Sequence, residues 1–383
     1  MIRCRLSLAS LLVFALYFTA VGSVLAEAGV TDQKILIGQS AAFSGPAAQL
    51  GIQLHAGAKA YFDQVNEQGG VFGRKIEIVT ADDKYESDLA AANTKKLIEE
   101  NNVFALFGYV GTPTSNAALP IFSKAKVPFF APFTGAQSMR EPFHREVFNI
   151  RASYFDETEY LVQKLVNTGL KNIAVFYQND AYGLAGLAGV ERAAKKMNVT
   201  LIERVTVERN SVDVKAAVDK VLPKRPDAII QISAYSSCAA YIKAMRKAGY
   251  LGQFYNVSFV GSQALSDTLG KEGPGTVISQ VVPFPWHVAT PVVAEYQKVM
   301  KKAGIKDFNF SSLEGFVAAK VFTEGLRRAG RDLTRDKLIR ALETINPNSF
   351  DVGGFDVTFS PTNHNGSKYV DMTAIIKDGK FLD

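Results

Sequence analysis

Cysteine is almost missing from this sequence. Of 383 residues only Cys4 and Cys238 carry a thiol, and Cys4 stands in an N-terminal segment read below as removable. A chain left with one thiol folds without an internal disulfide and must rely on its core. Histidine is scarce too. His55, His144, His287 and His364 are scattered, with no pair at i, i+4 spacing and no cysteine neighbour, which argues against a metal site. Neither sign of charge dominates: 43 basic residues face 37 acidic ones, so no nucleic acid or other polyanionic partner is expected. The phosphate-cradling loop ending in Gly-Lys-Ser/Thr is lacking, as is the Gly-x-Gly-x-x-Gly dinucleotide pattern. Gly183-x-x-Gly186-x-x-Gly189 has a different spacing and falls inside a helical stretch. The Gly-x-Ser-x-Gly elbow of many hydrolases is absent as well. No cofactor is expected.

Long apolar runs are also lacking, with one exception. Arg3 and Arg5 precede an apolar stretch from Leu6 to about Val21, followed by Val24-Leu25-Ala26. That is the layout of an export signal, residues 1–26, cut after Ala26. The rival reading, a membrane anchor, suits it less, because the run is short and ends in small residues before a polar chain. Cys4 precedes the run instead of following it, which argues against a lipid anchor. Removal takes two arginines and leaves 357 residues with 41 basic against 37 acidic. The mature chain is expected in the periplasm. At 47% hydrophobic residues its core is large, and its length suggests two domains.

What is present is an alternation. Lys34–Gly38, Lys75–Val79, Val103–Phe107 and Val127–Phe130 read as strands, and between the first two Leu54, Ala58, Tyr61, Phe62 and Val65 mark one face of a helix that Gly69-Gly70 ends. A second series follows Asn149–Ser153: a strand at Asn172–Tyr177, a helix near Leu184–Met197, and strands at Leu201–Val207, Ala228–Ile232 and Phe254–Val260. After Val281–Pro285 come helical segments at about Pro291–Ala303, Ser312–Ala329 and Thr334–Thr344, then a strand-like tail from Phe355 to Phe381. The fold class is α/β: two Rossmann-like lobes with parallel central sheets. No Gly/Ser linker separates them, which suggests a hinged pair with a cleft.

The stretch LFGYVGTPTSNAALP, Leu106–Pro120, brings a parallel strand to the carboxyl edge of its sheet, where open α/β folds bind ligands. Thr112 suits an N-cap and Pro113 the first helical position. The free amides of such a helix start attract an anion, and a loop with hydroxyls but no lysine suits a carboxylate better than a phosphate. A plain helix cap is the alternative. The next strand ends in Ala131-Pro-Phe-Thr-Gly-Ala136, and the first in Ile37-Gly-Gln-Ser-Ala-Ala-Phe-Ser-Gly-Pro46, so three loops of similar make-up meet at one edge.

These pieces together, FSGPAAQLG, NEQGGVFGRKIEIVTADD, the hydroxyl loop, APFTGA and NDAYG, resemble the periplasmic solute-binding proteins of the leucine/isoleucine/valine type that serve ATP-driven importers. The likeness spans nearly all of the mature chain. It implies lobes of residues 27–150 plus about 284–350 and 151–283 plus about 351–383, joined by three crossing segments and closing on a ligand by a hinge. It implies a small-molecule ligand, an apolar amino acid or another carboxylate; a membrane permease as partner; a monomer; and no catalysis. In the first lobe Tyr109, Gly111 and Thr112, then Phe133, Thr134 and Gly135, are the implied ligand residues. In the second they are Asp180, Tyr182, Tyr235 and Ser258.

The chain departs from the family where amino-acid binders place a glutamate for the ligand's ammonium. Here that loop reads Asn256-Val-Ser-Phe-Val-Gly-Ser-Gln263, with no acid before Asp267. Either Asp180 supplies the charge or the ligand has no ammonium, which keeps aromatic and aliphatic carboxylates open. Arg151, beside the first crossing, either clamps a carboxylate or steadies the hinge by a salt bridge. Asp82-Asp83 touches a ligand or a cation, or forms a turn. Trp286, at the second crossing, is a candidate for the cleft rim. Two other classes stay open: a sensory module of the same fold, and a serine hydrolase built on Ser123-Lys-Ala-Lys126. The latter lacks the Lys-Thr-Gly and Ser-Asp-Asn that accompany such a motif.

Overall fold

The computed structural model describes residues 27–383; the expected export signal lies outside the described residues. The first half folds as β1 (Lys34–Ala41), α1 (Ala48–Glu67), β2 (Lys75–Asp82), α2 (Ser87–Glu99), β3 (Ala105–Phe107), α3 (Thr112–Ala125), β4 (Phe129–Phe130) and β5 (Val147–Phe148). The second half continues with α4 (Tyr154–Asn167), β6 (Ile173–Gln178), α5 (Ala181–Lys196), β7 (Leu201–Val207), α6 (Lys215–Val221), β8 (Ala228–Ile232), α7 (Tyr235–Lys247), β9 (Gln253–Asn256), α8 (Ser262–Leu269) and β10 (Thr276–Gln280). Three helices follow, α9 (Pro291–Lys302), α10 (Phe310–Ala329) and α11 (Arg335–Leu342), and then β11 (Asp371–Ile375) and β12 (Phe381–Leu382).

Two sheets result. One is all parallel, in the order β2-β1-β3-β4-β5; the other runs β12-β11-β10-β9-β8-β6-β7, parallel from β10 to β7 with an antiparallel edge. Both follow from β-branched and aromatic runs too apolar to face water on either side, such as β8, AIIQI, buried throughout. Helices α9, α10 and α11 return to the first sheet and share its core with Phe62, Phe107 and Phe130. Helix α10 lies against α1 with almost no gap. A Cβ on Gly57 would sit 1.7 Å from the Ser312 carbonyl oxygen, and one on Gly315 2.0 Å from that of Leu54. Only glycine at these two positions permits the approach.

The chain passes from the first sheet to the second between Phe148 and Tyr154, returns between Gln280 and Pro291, and crosses again before Asp371. The third passage comes later than the expected break near residue 350, because Val352, Phe355, Val357 and Phe359 still pack into the first core. The expected strand-like tail is mostly loop for the same reason: buried apolar residues there alternate for packing, and only Asp371–Ile375 and Phe381–Leu382 form strands. The strand expected at Phe254–Val260 ends at Asn256, and a short 3-10 turn, Ser258–Val260, replaces its second half.

Candidate functional site

Pairing of Leu106 with Phe129 and Phe107 with Phe130 brings the loops after β3 and β4 out side by side. Gly111, at φ 101°, occupies the N-cap of α3, so Thr112 takes the first helical position and Pro113 the second, one place on from the expected arrangement. No side chain caps this helix and no acid lies in its first turn, leaving its amides available to an anion. The Thr112 and Thr134 hydroxyls, both buried, lie 2.7 Å apart. Thr134 Oγ1 also stands 3.4 Å from the Tyr154 hydroxyl and accepts the Ala136 amide. Gly111 is needed for a second reason: a Cβ there would meet the Tyr85 ring at 2.2 Å. Gly135 likewise makes room for Tyr154, whose ring lies 2.5 Å from where its Cβ would be.

Rings from both halves close over these hydroxyls. Phe259, just beyond β9, lies 4.5 Å from Tyr182, 5.5 Å from Phe133 and 5.8 Å from Tyr85, centroid to centroid, and Tyr154 stands 5.3 Å from Tyr182. All five rings are buried in one apolar cluster that draws on loops of both sheets. The Tyr182 hydroxyl has no partner among the described residues. Burial drives the phenols of Tyr85 and Tyr182 well above their ordinary range, so both stay neutral.

The other expected residues fall in different places. Tyr109 packs on the opposite side of its sheet with Leu106, Phe122 and Phe129, its hydroxyl 3.1 Å from Thr94; it is a core residue away from the cluster. Asp180 is the N-cap of α5. One oxygen accepts the amides of Tyr182 and Gly183, and the other accepts Gln178 Nε2 at 2.6 Å and meets Arg209 at 3.4 Å. Its carboxylate is fully engaged. Tyr235 opens α7 and is half-buried, close to the backbone of Gln49 in the other half. Phe133, ambiguous in the sequence, turns inward, with the Arg151 guanidinium 4.3 Å above its ring.

Arg151 is the centre of a buried polar network. Its Nε stands 3.0 Å from Glu314 on α10, and its Nη2 donates to Ser258 Oγ at 2.6 Å and to Glu314 at 3.2 Å. Burial pushes the Glu314 carboxyl up to about 7, against the pull of Arg151. Glu157, on the first turn of α4, accepts the Ser258 amide at 2.8 Å and the Ser279 hydroxyl at 2.6 Å through Oε2. Arg140 spends its donors on backbone carbonyls of Thr134, Ala136, Arg151 and Ala152. Burial and the neighbouring Arg151 lower it to about 10. Asp82 and Asp83 form the turn after β2: Asp82 accepts the Phe43, Ser44 and Lys84 amides, and Asp83 accepts the Ser40 hydroxyl and the Tyr85 amide.

Sequence reasoning passed over Tyr85, Tyr154, Glu157, Phe259 and Glu314. Tyr85 and Phe259 were findable, since each stands a few residues beyond a strand's carboxyl end. Glu157 carried a weaker signal: it lies three residues after Tyr154 and four before Leu161, an acid on the apolar face of α4.

Further contacts tie the halves at the mouth of the cleft. Arg209 meets Glu86 at 2.9 Å, Asn210 bonds Glu86 and the Lys84 carbonyl, and Gln178 donates to the Tyr85 hydroxyl. The Ser123/Lys126 pair lies at the other end of α3 from Thr112, with Lys126 its exposed left-handed C-cap. A separate groove of about 800 Å³ runs between α1, α8 and the second crossing, where Trp286 stacks on Phe381 at 5.4 Å; of the residues singled out in the sequence it contains Trp286 alone. Trp286 thus lines this groove.

Residues 34–380 match the family model described as periplasmic binding protein. The Leu/Ile/Val-binding protein homolog 8 of Brucella abortus is 24% identical over 98% of this chain and 96% of its own. A solved structure of a possible leucine/isoleucine/valine-binding protein from Rhodopirellula baltica superposes with a TM-score of 0.87 at 34% identity, over 92% of this chain and 97% of that one. A branched chain amino acid ABC transporter protein from Thermus thermophilus, solved with bound valine, shares the fold at a TM-score of 0.83 and 18% identity, over 92% and 96% of the two chains.

Proposed function

Because the chain belongs to the periplasmic binding protein family, we propose that it is an exported receptor that hands a small carboxylate-bearing solute to an ATP-driven permease. An apolar amino acid is the first reading of that solute. The observation that carries the proposal is the buried cluster itself: hydroxyls on an uncapped helix start from one sheet, closed over by aromatic rings from the other. In the proposed cycle the two halves separate to admit a ligand, and the ligand favours the closed form, in which these five rings are buried, by binding it better.

The mechanism has three steps. The carboxylate docks on the amides beyond Gly111 and on the Thr112 and Thr134 hydroxyls. Tyr182, Phe259 and Phe133 then enclose the apolar body, with Tyr235 reaching across to Gln49. Closure forms the contacts of Arg209 and Asn210 with Glu86 and alters the surface shown to the permease. The receptor acts as a monomer and forms no covalent bond with its cargo.

A second reading, a carboxylate without an ammonium, is favoured by one observation: Asp180, the candidate replacement for the family glutamate, is already spent as a helix cap. Thermal unfolding of the ligand-stripped mature protein tests the proposal with leucine, valine and phenylalanine beside isocaproate, isovalerate and hydrocinnamate. A true ligand at a hundred times its dissociation constant adds about 2.7 kcal/mol. Stabilisation by the amino acids alone supports the first reading and by the deaminated acids alone the second; a flat response to both sets removes the carboxylate proposal.

A further inference from the structure

We infer that Glu157 supplies the counter-charge for a ligand ammonium, in place of the glutamate that the loop after β9 lacks. The inference rests on the receptor reading above and decides between its two ligand classes. Its first support is an orphaned atom. Glu157 is 0% exposed, and while Oε2 accepts Ser258 N and Ser279 Oγ, Oε1 has no partner among the described residues. A buried carboxylate oxygen without a donor is costly and needs an explanation.

The second support is position. Glu157 stands one turn after Tyr154 on α4, so the two side chains leave the helix on the same face. Tyr154 reaches Thr134 and Tyr182, and the other oxygen of Glu157 holds the amide of Ser258, next to Phe259. The acid therefore sits at the root of the loop from which the family glutamate would come. It reaches that place from a different element of the same lobe.

The third support is complementarity. Arg151 Nη1 is the matching orphan, a buried guanidinium nitrogen with no partner, on a side chain that lies over Phe133 and bonds Ser258. Tyr182 Oη is a third. An unpaired anionic acceptor beside these rings suits the ammonium of a ligand whose carboxylate docks at α3, and the unpaired Arg151 donor lies near the same place. Arg140, Arg151, Glu157 and Glu314 are all buried around the crossing. A zwitterion adds no net charge to this group, whereas a bare carboxylate adds one negative charge.

The test measures equilibrium binding of leucine against isocaproate, and of phenylalanine against hydrocinnamate, to the mature protein and to Glu157→Gln. The expected result is that the wild type prefers the amino acid of the fitting pair. Glu157→Gln should weaken that amino acid about a hundredfold while its deaminated partner changes by no more than about threefold. Equal weakening of both partners would mean that Glu157 only props the Ser258 loop, and would overturn the inference. Wild-type preference for the deaminated acid would also overturn it, while leaving the receptor reading intact. No binding of either set would overturn both. Should Glu157→Gln fail to fold, as judged by its unliganded unfolding, Glu157→Asp keeps the charge but withdraws it by one methylene. It should weaken the amino acid selectively, and an unselective loss counts against the assignment.

Discussion

The two halves present helix starts of opposite character to the same cleft. In the first, α3 begins at Gly111 with neither a side-chain cap nor an acid in its first turn. In the second, α5 is capped by Asp180, and α4 carries a full capping box from Ser153 and Asp156 with Glu157 beside it. The helix dipole is therefore left exposed at α3 and answered at α4 and α5, although α7 of the second half also starts uncapped. The difference gives the cleft a polarity. An acid group has a place at α3 and none at α5, so on the proposed reading a ligand would enter carboxylate first against the first lobe and present its opposite end to the second.

The joint between the halves is where the comparison breaks most easily. Arg151 belongs to the crossing, yet it pairs with Glu314 of the first lobe and Ser258 of the second. Arg151→Met removes the only cation paired with Glu314 among the described residues, and Glu314 is 6% exposed. Leaving that carboxylate buried and unpaired should cost about 3–5 kcal/mol, read as a large fall in unfolding temperature without ligand. A second change, Glu314→Gln, should recover part of the loss, because the stranded charge is gone. A double variant no more stable than Arg151→Met alone would show that the guanidinium acts mainly by packing on Phe133.

Two substitutions sharpen the contrast between the helix starts. Thr112→Val keeps the shape of α3 and removes the hydroxyl proposed to meet the ligand's carboxylate, so ligand affinity should fall by about 2 kcal/mol, roughly thirtyfold. Unliganded stability should fall less, by about 1 kcal/mol for the lost bond to Thr134. Asp180→Ala should act on stability alone. Loss of the N-cap destabilises the protein by about 1 kcal/mol, while the preference between an amino acid and its deaminated partner stays as in the wild type. If Asp180→Ala instead abolishes that preference, the ammonium sits at α5 and the polarity argued above is wrong.

Much of this architecture was legible in the chain, because strand and helix periods reflect burial on two faces and each loop at a sheet edge follows from its strand. Gly111, Thr112 and Thr134 were readable for that reason. Tyr109 was misjudged since adjacent residues of one loop point to opposite sides of a sheet, and only the packing of Phe122 and Phe129 fixes which side it takes. Asp180 looked like a free acid although Asp before a helical run is first of all an N-cap. Glu157 and Glu314 were invisible for a deeper reason: a charged residue within a helix reads as a solvent face, and its burial depends on a crossing that brings Arg151 within 3.0 Å from far along the chain.

A last contrast sets Asp180 against Asp83, the acids that follow β6 and β2. Asp180 stands against a helix start and Arg209, whereas Asp83 is buried, accepts the Ser40 hydroxyl and the Tyr85 amide, and has the acids Asp82 and Glu86 as neighbours. Burial therefore pushes the Asp83 carboxyl up to about 7 from an ordinary 3.8. The folded protein then holds a proton that the unfolded chain releases, so this stabilisation is complete below the unfolded value and is lost as pH rises through about 7. Stability, read as unfolding temperature, should decline between pH 5 and pH 7.5, by at most roughly 1.4 kcal/mol per pH unit. Asp83→Asn, uncharged throughout, should show a flatter profile over that window. A parallel decline in wild type and variant would assign the slope elsewhere, with Glu314, also raised by burial, as the next group to neutralise.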